Sequence, residues 1–244
     1  MIMNASTNEH LHASAPTPKL AGATWAVFCK DLRAELRTRY ALNALLLFAV
    51  STVVAISLGL GPIAPRDNRD LQLIQAALLW IALLFAAFTG LARAFVHEEE
   101  SGTALALRLA APPLAVYLGK LLFNLLLLFT LDLVTAPLFI VMLRVGVGNP
   151  LMFAAMIAAG SCALVAATTL IAAIIARANA RGALFAVLSF PLLIVPLAVG
   201  IRGTAFALQG EDWVLAVAPL QVLLAYTVAL LVMSLFLFKS VWEA

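Results

Sequence analysis

Apolar runs of about twenty residues, long enough to cross a bilayer and separated by short polar breaks, set the pattern of this chain. Six emerge, at 42–61, 71–92, 117–141, 151–176, 183–201 and 213–238. At about 1.5 Å of rise per residue, each can span a hydrocarbon core of about 30 Å as a helix. None has the period-2 alternation of a barrel strand, so the pattern predicts helices. The breaks carry turn residues and charge: Pro62 and Pro65 after the first run, Asn149-Pro150 before the fourth, Gly210-Glu211-Asp212 before the sixth. The expected fold is all-α, a polytopic membrane protein with six transmembrane helices.

Two further helices are predicted outside the spans. Trp25, Phe28, Leu32 and Leu36 recur at i, i+3, i+7 and i+11, while Lys30, Arg33, Arg37 and Arg39 fall elsewhere around the wheel. That spacing predicts an amphipathic helix over 24–40, lying in the interfacial plane; the plainer alternative is a charged flank before a span. Residues 1–23 are polar, without the apolar core of a secretory signal, and read as a disordered tail ahead of a six-span domain at 24–244. His10 and His12 within the tail are incidental to any metal site. The second helix falls between spans 2 and 3. There the acidic run His97-Glu98-Glu99-Glu100 meets Gly102, then Leu105 and Leu109 at i, i+4 around Arg108, then Pro112-Pro113. Gly102 permits a sharp turn and the prolines stop the helix, so a short cytoplasmic helix suited to docking in a partner's groove is expected.

Composition agrees with the spans. The chain is 64% hydrophobic and 11% charged, against about 25% charged in a soluble domain. The placement of the charges orients it. With the N-terminus inside, eleven of the 15 Lys and Arg fall on inner segments, leaving Arg66, Arg69, Arg144 and Arg202 outside. Both termini are therefore expected in the cytoplasm.

The chemistry that is missing narrows the function. No phosphate loop, His-Glu-x-x-His or Gly-x-Ser-x-Gly occurs, which removes the commonest nucleotide, metalloprotease and hydrolase readings. No span contains a histidine that could ligate haem, and His97 sits alone in the acidic run. Cys29 and Cys162 lie in different environments, so no disulfide is expected. Neither catalytic nor metal-binding residues are assigned, and no nucleic-acid partner. A transport or scaffold subunit is the expectation.

Inside the spans, ionisable groups are costly and each is a candidate by default. Asp132 lies deep in the third span, with Asn124, Thr130 and Thr135 near it. It either meets a basic group or polar cavity, or is a protonated, hydrogen-bonded carboxyl that fixes packing. Lys120 is expected to reach the interface along its own stem, and Gln72 and Gln75 to sit at the outer interface. Pro137, Pro191, Pro196 and Pro219 each free a carbonyl and permit a kink. Gly160, Ser161 and Ala167 offer small faces for close helix contact, and Met152 and Met156 read as core.

An ordered set of segments resembles the CcmB family of cytochrome c maturation, the haem exporter B proteins, among permease subunits of type-2 ABC exporters. Cys29-Lys30-Asp31-Leu32-Arg33-Ala34-Glu35-Leu36-Arg37 is similar to the family's R-D-L-x-x-E-x-R opening. Leu79-Trp80-Ile81-Ala82-Leu83-Leu84 follows, and Phe95 to Gly102 resembles an F-x-x-[DE]-x-E-x-G segment. Next come the proline step from Pro112 to Lys120, Arg181-Gly182-Ala183-Leu184, and Pro191-Leu192 with Ile194-Val195-Pro196-Leu197. The likeness covers most of 25–243; Asp132 and the tail lie outside it.

The resemblance implies a non-catalytic subunit of the bacterial inner membrane. Its partners would be a separate cytoplasmic ABC ATPase (CcmA-like), a haem-handling membrane protein (CcmC-like), a periplasmic haem chaperone (CcmE-like) and a second copy of itself. Haem and ATP would be handled by those partners, with no cofactor bound directly. Glu99, Glu100, Gly102, Leu105, Arg108 and Pro112 would couple to the ATPase, and Trp25, Phe28, Leu32, Arg33, Leu36 and Arg37 would form the interfacial helix. The alternatives are a type-2 exporter of lipid, drug or polysaccharide, and a non-transporting membrane scaffold.

Overall fold

The computed structural model describes residues 20–60, 68–91, 107, 109–175 and 181–243. Among them are seven long helices: α1 (Leu20–Thr38), α2 (Tyr40–Leu60), α3 (Arg69–Leu91), α4 (Pro113–Leu143), α5 (Pro150–Ile175), α6 (Arg181–Gln209) and α7 (Trp213–Glu243). Helices α2 to α7 are each long and apolar enough to cross a membrane. The chain is a multi-pass membrane protein of the expected all-α class. The predicted tail lies, up to residue 19, outside the described residues, and α1 begins at Leu20 rather than at residue 24.

α5 is the axis of the bundle. Of its most apolar stretch, 83% is buried, against 17% for α2 and for α7. Its Ala, Gly, Ser and Thr content explains the position, because small side chains let neighbouring backbones approach closely where lipid gives no hydrophobic drive. The Trp80 indole of α3, wholly buried, is the largest group that uses this space. A Cβ on Gly160 of α5 would lie 1.9 Å from Trp80 Cη2, and one on Gly200 of α6 2.8 Å from Cζ2. The ring is thus held between two glycines, and its Nε1 donates to Thr204 Oγ1 of α6 at 2.8 Å. Met152 and Met156 are fully buried, as expected of core residues.

α6 departs from expectation. Its span was expected to end near Ile201, with Arg202 in an outer loop, yet the helix continues to Gln209. Gly203 is a packing glycine: a Cβ there would lie 2.5 Å from Met156 Sδ and 3.2 Å from Pro219 Cβ. Pro191 and Pro196 lie inside the same helix. Pro196 lacks the N–H that would bond the Leu192 carbonyl, and the Tyr226 hydroxyl of α7 donates to that carbonyl instead, at 2.5 Å. A side chain from a neighbouring helix thus satisfies a group that a proline orphans.

The end of the bundle where α4 meets α5 is stitched by backbone. Arg144 takes a left-handed conformation (φ 51°), and Val145 N–H bonds Ile140 O at 3.0 Å, ending α4 in a Schellman turn. The following loop then donates from Gly148 N to Leu208 O (3.2 Å) and from Asn149 N to Ala207 O (2.9 Å). Gly148 and Gly210 (φ 71°) touch through their backbones, where a side chain on Gly148 would collide. Asn149 Oδ1 caps the start of α5 by accepting from Met152 N–H at 3.1 Å, and Arg69 pairs with Glu211 at 3.0 Å. Gln72 Nε2 reaches Leu208 O at 3.4 Å. Gln75 was expected at the interface but is buried, one turn deeper on α3.

Gly160→Leu is expected to destabilise the bundle, because even a Cβ at this position would lie 1.9 Å from the Trp80 ring; forced overpacking costs about 1–3 kcal/mol or more. Thermal unfolding of the detergent-purified protein checks this. A Tm equal to that of the wild type would remove Trp80 as the keystone.

Candidate functional site

At the opposite end, α1 is laid against the first turns of α4. α4 opens with Pro112 as its cap (φ −63°, ψ 146°) and Pro113 in its first turn, where a missing N–H costs nothing. Two turns in, Gly119 faces α1. A Cβ on Gly119 would fall 2.7 Å from Val27 Cβ and 3.0 Å from Thr24 O, so the two helices touch nearly backbone to backbone.

The buried side of α1 is Ala23, Thr24 and Val27. This is not the face picked out by the apolar spacing. Phe28 and Leu32 are partly buried, whereas Trp25 is 61% and Leu36 59% exposed. Close packing selected the small side chains, and left the large apolar residues on an adjacent sector of the same helix. Trp25 and Phe28 stack on that sector with ring centroids 5.0 Å apart.

Lys120 is the second surprise. It does not reach open solvent: it is 2% exposed, with Nζ 3.4 Å from Asp31 Oδ2 beneath α1. Asp31 also pairs with Lys30 of its own helix, at 3.1 Å. α1 covers the end of the stem and supplies a carboxylate there. Glu35 faces inward too, and its Oε1 accepts from Leu42 N–H at 2.8 Å in the first turn of α2. A carboxylate at a helix N-terminus satisfies a free N–H and meets the positive end of the dipole. Arg39 (φ 52°) makes the bend from α1 into α2. Asp31 and Glu35 therefore join α1 to α4 and to α2. Neither was singled out from the sequence as a site residue, although both stand in the opening segment.

The intramembrane polar pair lies between α4 and α5. Asp132 Oδ2 accepts from Ser161 Oγ at 2.6 Å, and Asn124 Nδ2 donates to Thr169 Oγ1 at 2.9 Å. Both residues are turned inward, Asn124 fully buried and Asp132 6% exposed. One oxygen of each side chain, with Thr135 Oγ1, has no hydrogen-bond partner among the described residues. Thr130 faces away and bonds Leu126 O in its own helix. Among the described residues no three His, Cys, Asp or Glu side chains gather, and Cys29 and Cys162 are both free thiols.

Glu99, Glu100, Gly102, Leu105 and Arg108 lie outside the described residues. The described part of that segment closes a helical turn, with Ala111 N–H bonded to Leu107 O at 3.1 Å, just before Pro112. Leu109 there is 84% exposed.

A family model described as CcmB protein matches residues 22–242, nearly the whole chain, and the chain belongs to that family. No curated protein matches it.

Asp31→Asn and Lys120→Met are each expected to lower the Tm of the purified protein, since either removes one member of an ion pair in a covered position. The combined variant is expected to recover part of the loss, with a coupling energy on the order of 1 kcal/mol. Strict additivity of the two effects would mean that the pair does not hold α1 to α4.

Proposed function

We propose that this member of the CcmB family, a haem-exporter component of cytochrome c maturation, is the permease subunit of an ABC-type complex. A separate cytoplasmic ATPase subunit hydrolyses ATP, and this chain couples that hydrolysis to haem delivery or to release of a haem-loaded periplasmic chaperone. A haem-handling membrane protein completes the assembly, so that haem and ATP are both held by partners. The chain sits in the bacterial inner membrane with both termini in the cytoplasm, a placement supported by the excess of Lys and Arg on alternate segments. The family match across 22–242 carries this reading.

The mechanism follows from what the coupling segment is joined to. Residues 93–113 run directly into Pro112 and α4, so a push on that segment is a push on the first turn of α4. The exposed Leu109 beside it supports a docked contact. α4 in turn is tied to α1 by Gly119 packing and the Lys120–Asp31 pair, and α1 to α2 by Glu35. These ties make α1, α4 and the start of α2 one lever at this end. The backbone stitching at the other end resists the same displacement, so the bundle tilts about it rather than sliding. A two-state tilt of this kind is a rigid-body switch biased by the partner's nucleotide state.

Two experiments bear on this. Deleting the gene is expected to abolish covalently haem-bearing cytochromes on haem-stained membrane gels, with b-type haem proteins unchanged and full recovery on complementation. Unchanged staining in a cell without a second maturation system would discard the maturation role. Gly102→Pro is expected to remove most of the chain-dependent ATPase stimulation while membrane insertion stays normal. Equal stimulation by variant and wild type would separate the 93–113 segment from coupling.

A further inference from the structure

We propose that α1 carries a binding surface for anionic phospholipid headgroups, formed by Arg33 and Arg37 beside the exposed Trp25 and Leu36. In composition α1 is almost balanced, with Lys30, Arg33 and Arg37 against Asp31 and Glu35. The fold unbalances it. Both acids turn toward the protein, Asp31 to Lys120 and Glu35 to the Leu42 N–H. Arg33 and Arg37, one turn apart and therefore on one face, are exposed and form no ion pair among the described residues. Lys30 stands one turn before Arg33 on the same side and is shared with Asp31.

Around the wheel, α1 has three sectors: Ala23, Thr24, Val27 and Asp31 against α4; Phe28, Leu32, Trp25 and Leu36 next; then Arg33, Arg37 and Lys30. The large apolar sector lies between the packed side and the basic side. Trp25 at 61% and Leu36 at 59% exposure, with Tyr40 at 63% just beyond, need a surrounding that is not water. A lipid surface meets both demands together, with acyl chains for the indole and leucine and phosphate for the guanidiniums. An acidic soluble protein would answer only the arginines. Phosphate diesters without a compensating amine, such as phosphatidylglycerol, give the strongest match, because a headgroup amine would cancel the field that the arginines meet. The inference rests on the membrane placement of the chain and is independent of its coupling to an ATPase.

The test is the association of spin-labelled phosphatidylglycerol and phosphatidylcholine with the purified full chain in symmetric phosphatidylcholine liposomes. Symmetric bilayers make the result independent of the orientation of the protein. The glycerol lipid is expected to be preferred, by about fivefold for a headgroup held at one arginine. The preference is expected to vanish in Arg33→Gln/Arg37→Gln, to persist in Arg33→Lys/Arg37→Lys, and to shrink at 1 M salt, where the Debye length is about 3 Å. Equal association of the two lipids with the wild type would overturn the proposal, as would a preference that survives the glutamine pair or that the lysine pair does not keep. Loss of a co-purifying membrane partner from the glutamine pair, with no lipid preference in the wild type, would overturn it and give the face to a protein. Circular dichroism of each variant separates these outcomes from unfolding.

Discussion

The fit of one indole between two glycines governs how this bundle is assembled. Trp80 brings α3 against α5 and α6 together, and it can do so only because Gly160 and Gly200 present bare backbone to its ring. In a bilayer the lipid tails are as apolar as the protein, so shape carries the association that water would otherwise drive. The Trp80 N–H would be costly without a partner at this depth, and Thr204 provides one. Gly203 repeats the device one turn on, where α5, α6 and α7 meet at Met156 and Pro219. α5 becomes the axis because its small residues accept neighbours on every side.

The two ends of the bundle differ in how much backbone bonding holds them. At the α4–α5 loop, backbone hydrogen bonds run from Gly148 and Asn149 to the last turn of α6, with two glycines in contact, beside the Arg69–Glu211 ion pair. Such a contact has little freedom. At the α1 end the ties are a side-chain ion pair, a carboxylate on a helix N-terminus, and one glycine contact. Long side chains can follow a moving helix without losing their partners. A fixed end and an adjustable end are what a tilting bundle needs, and the adjustable end is the one that receives the 93–113 segment.

Polar groups inside the spans are mostly turned to structural use. Tyr226 bonds the carbonyl that Pro196 was expected to free, so a neighbouring helix satisfies it. Asp132 and Asn124 bond Ser161 and Thr169 across α4 and α5, each with one oxygen left over. Intramembrane cost made them candidates, and their inward placement gives them packing partners.

Span number and helical class were legible from the sequence because hydropathy and run length are properties of consecutive residues, and a bilayer enforces them. The end of α6 was expected too early because Arg202 breaks the apolar run, whereas the helix carries on through Gly203, which packs against Met156 and Pro219. The amphipathic character of α1 was legible in Trp25, Phe28, Leu32 and Leu36, but not which face would be packed. Periodicity reports where bulk lies, whereas packing between helices in lipid prefers where bulk is missing. For the same reason Lys120 and Asp31, 89 positions apart, could not be paired from spacing. Composition and period along the chain determined a six-span membrane protein with a basic amphipathic helix before it. Only the tertiary structure decided that both acids of that helix turn inward, because the partner that draws each one comes from a different helix.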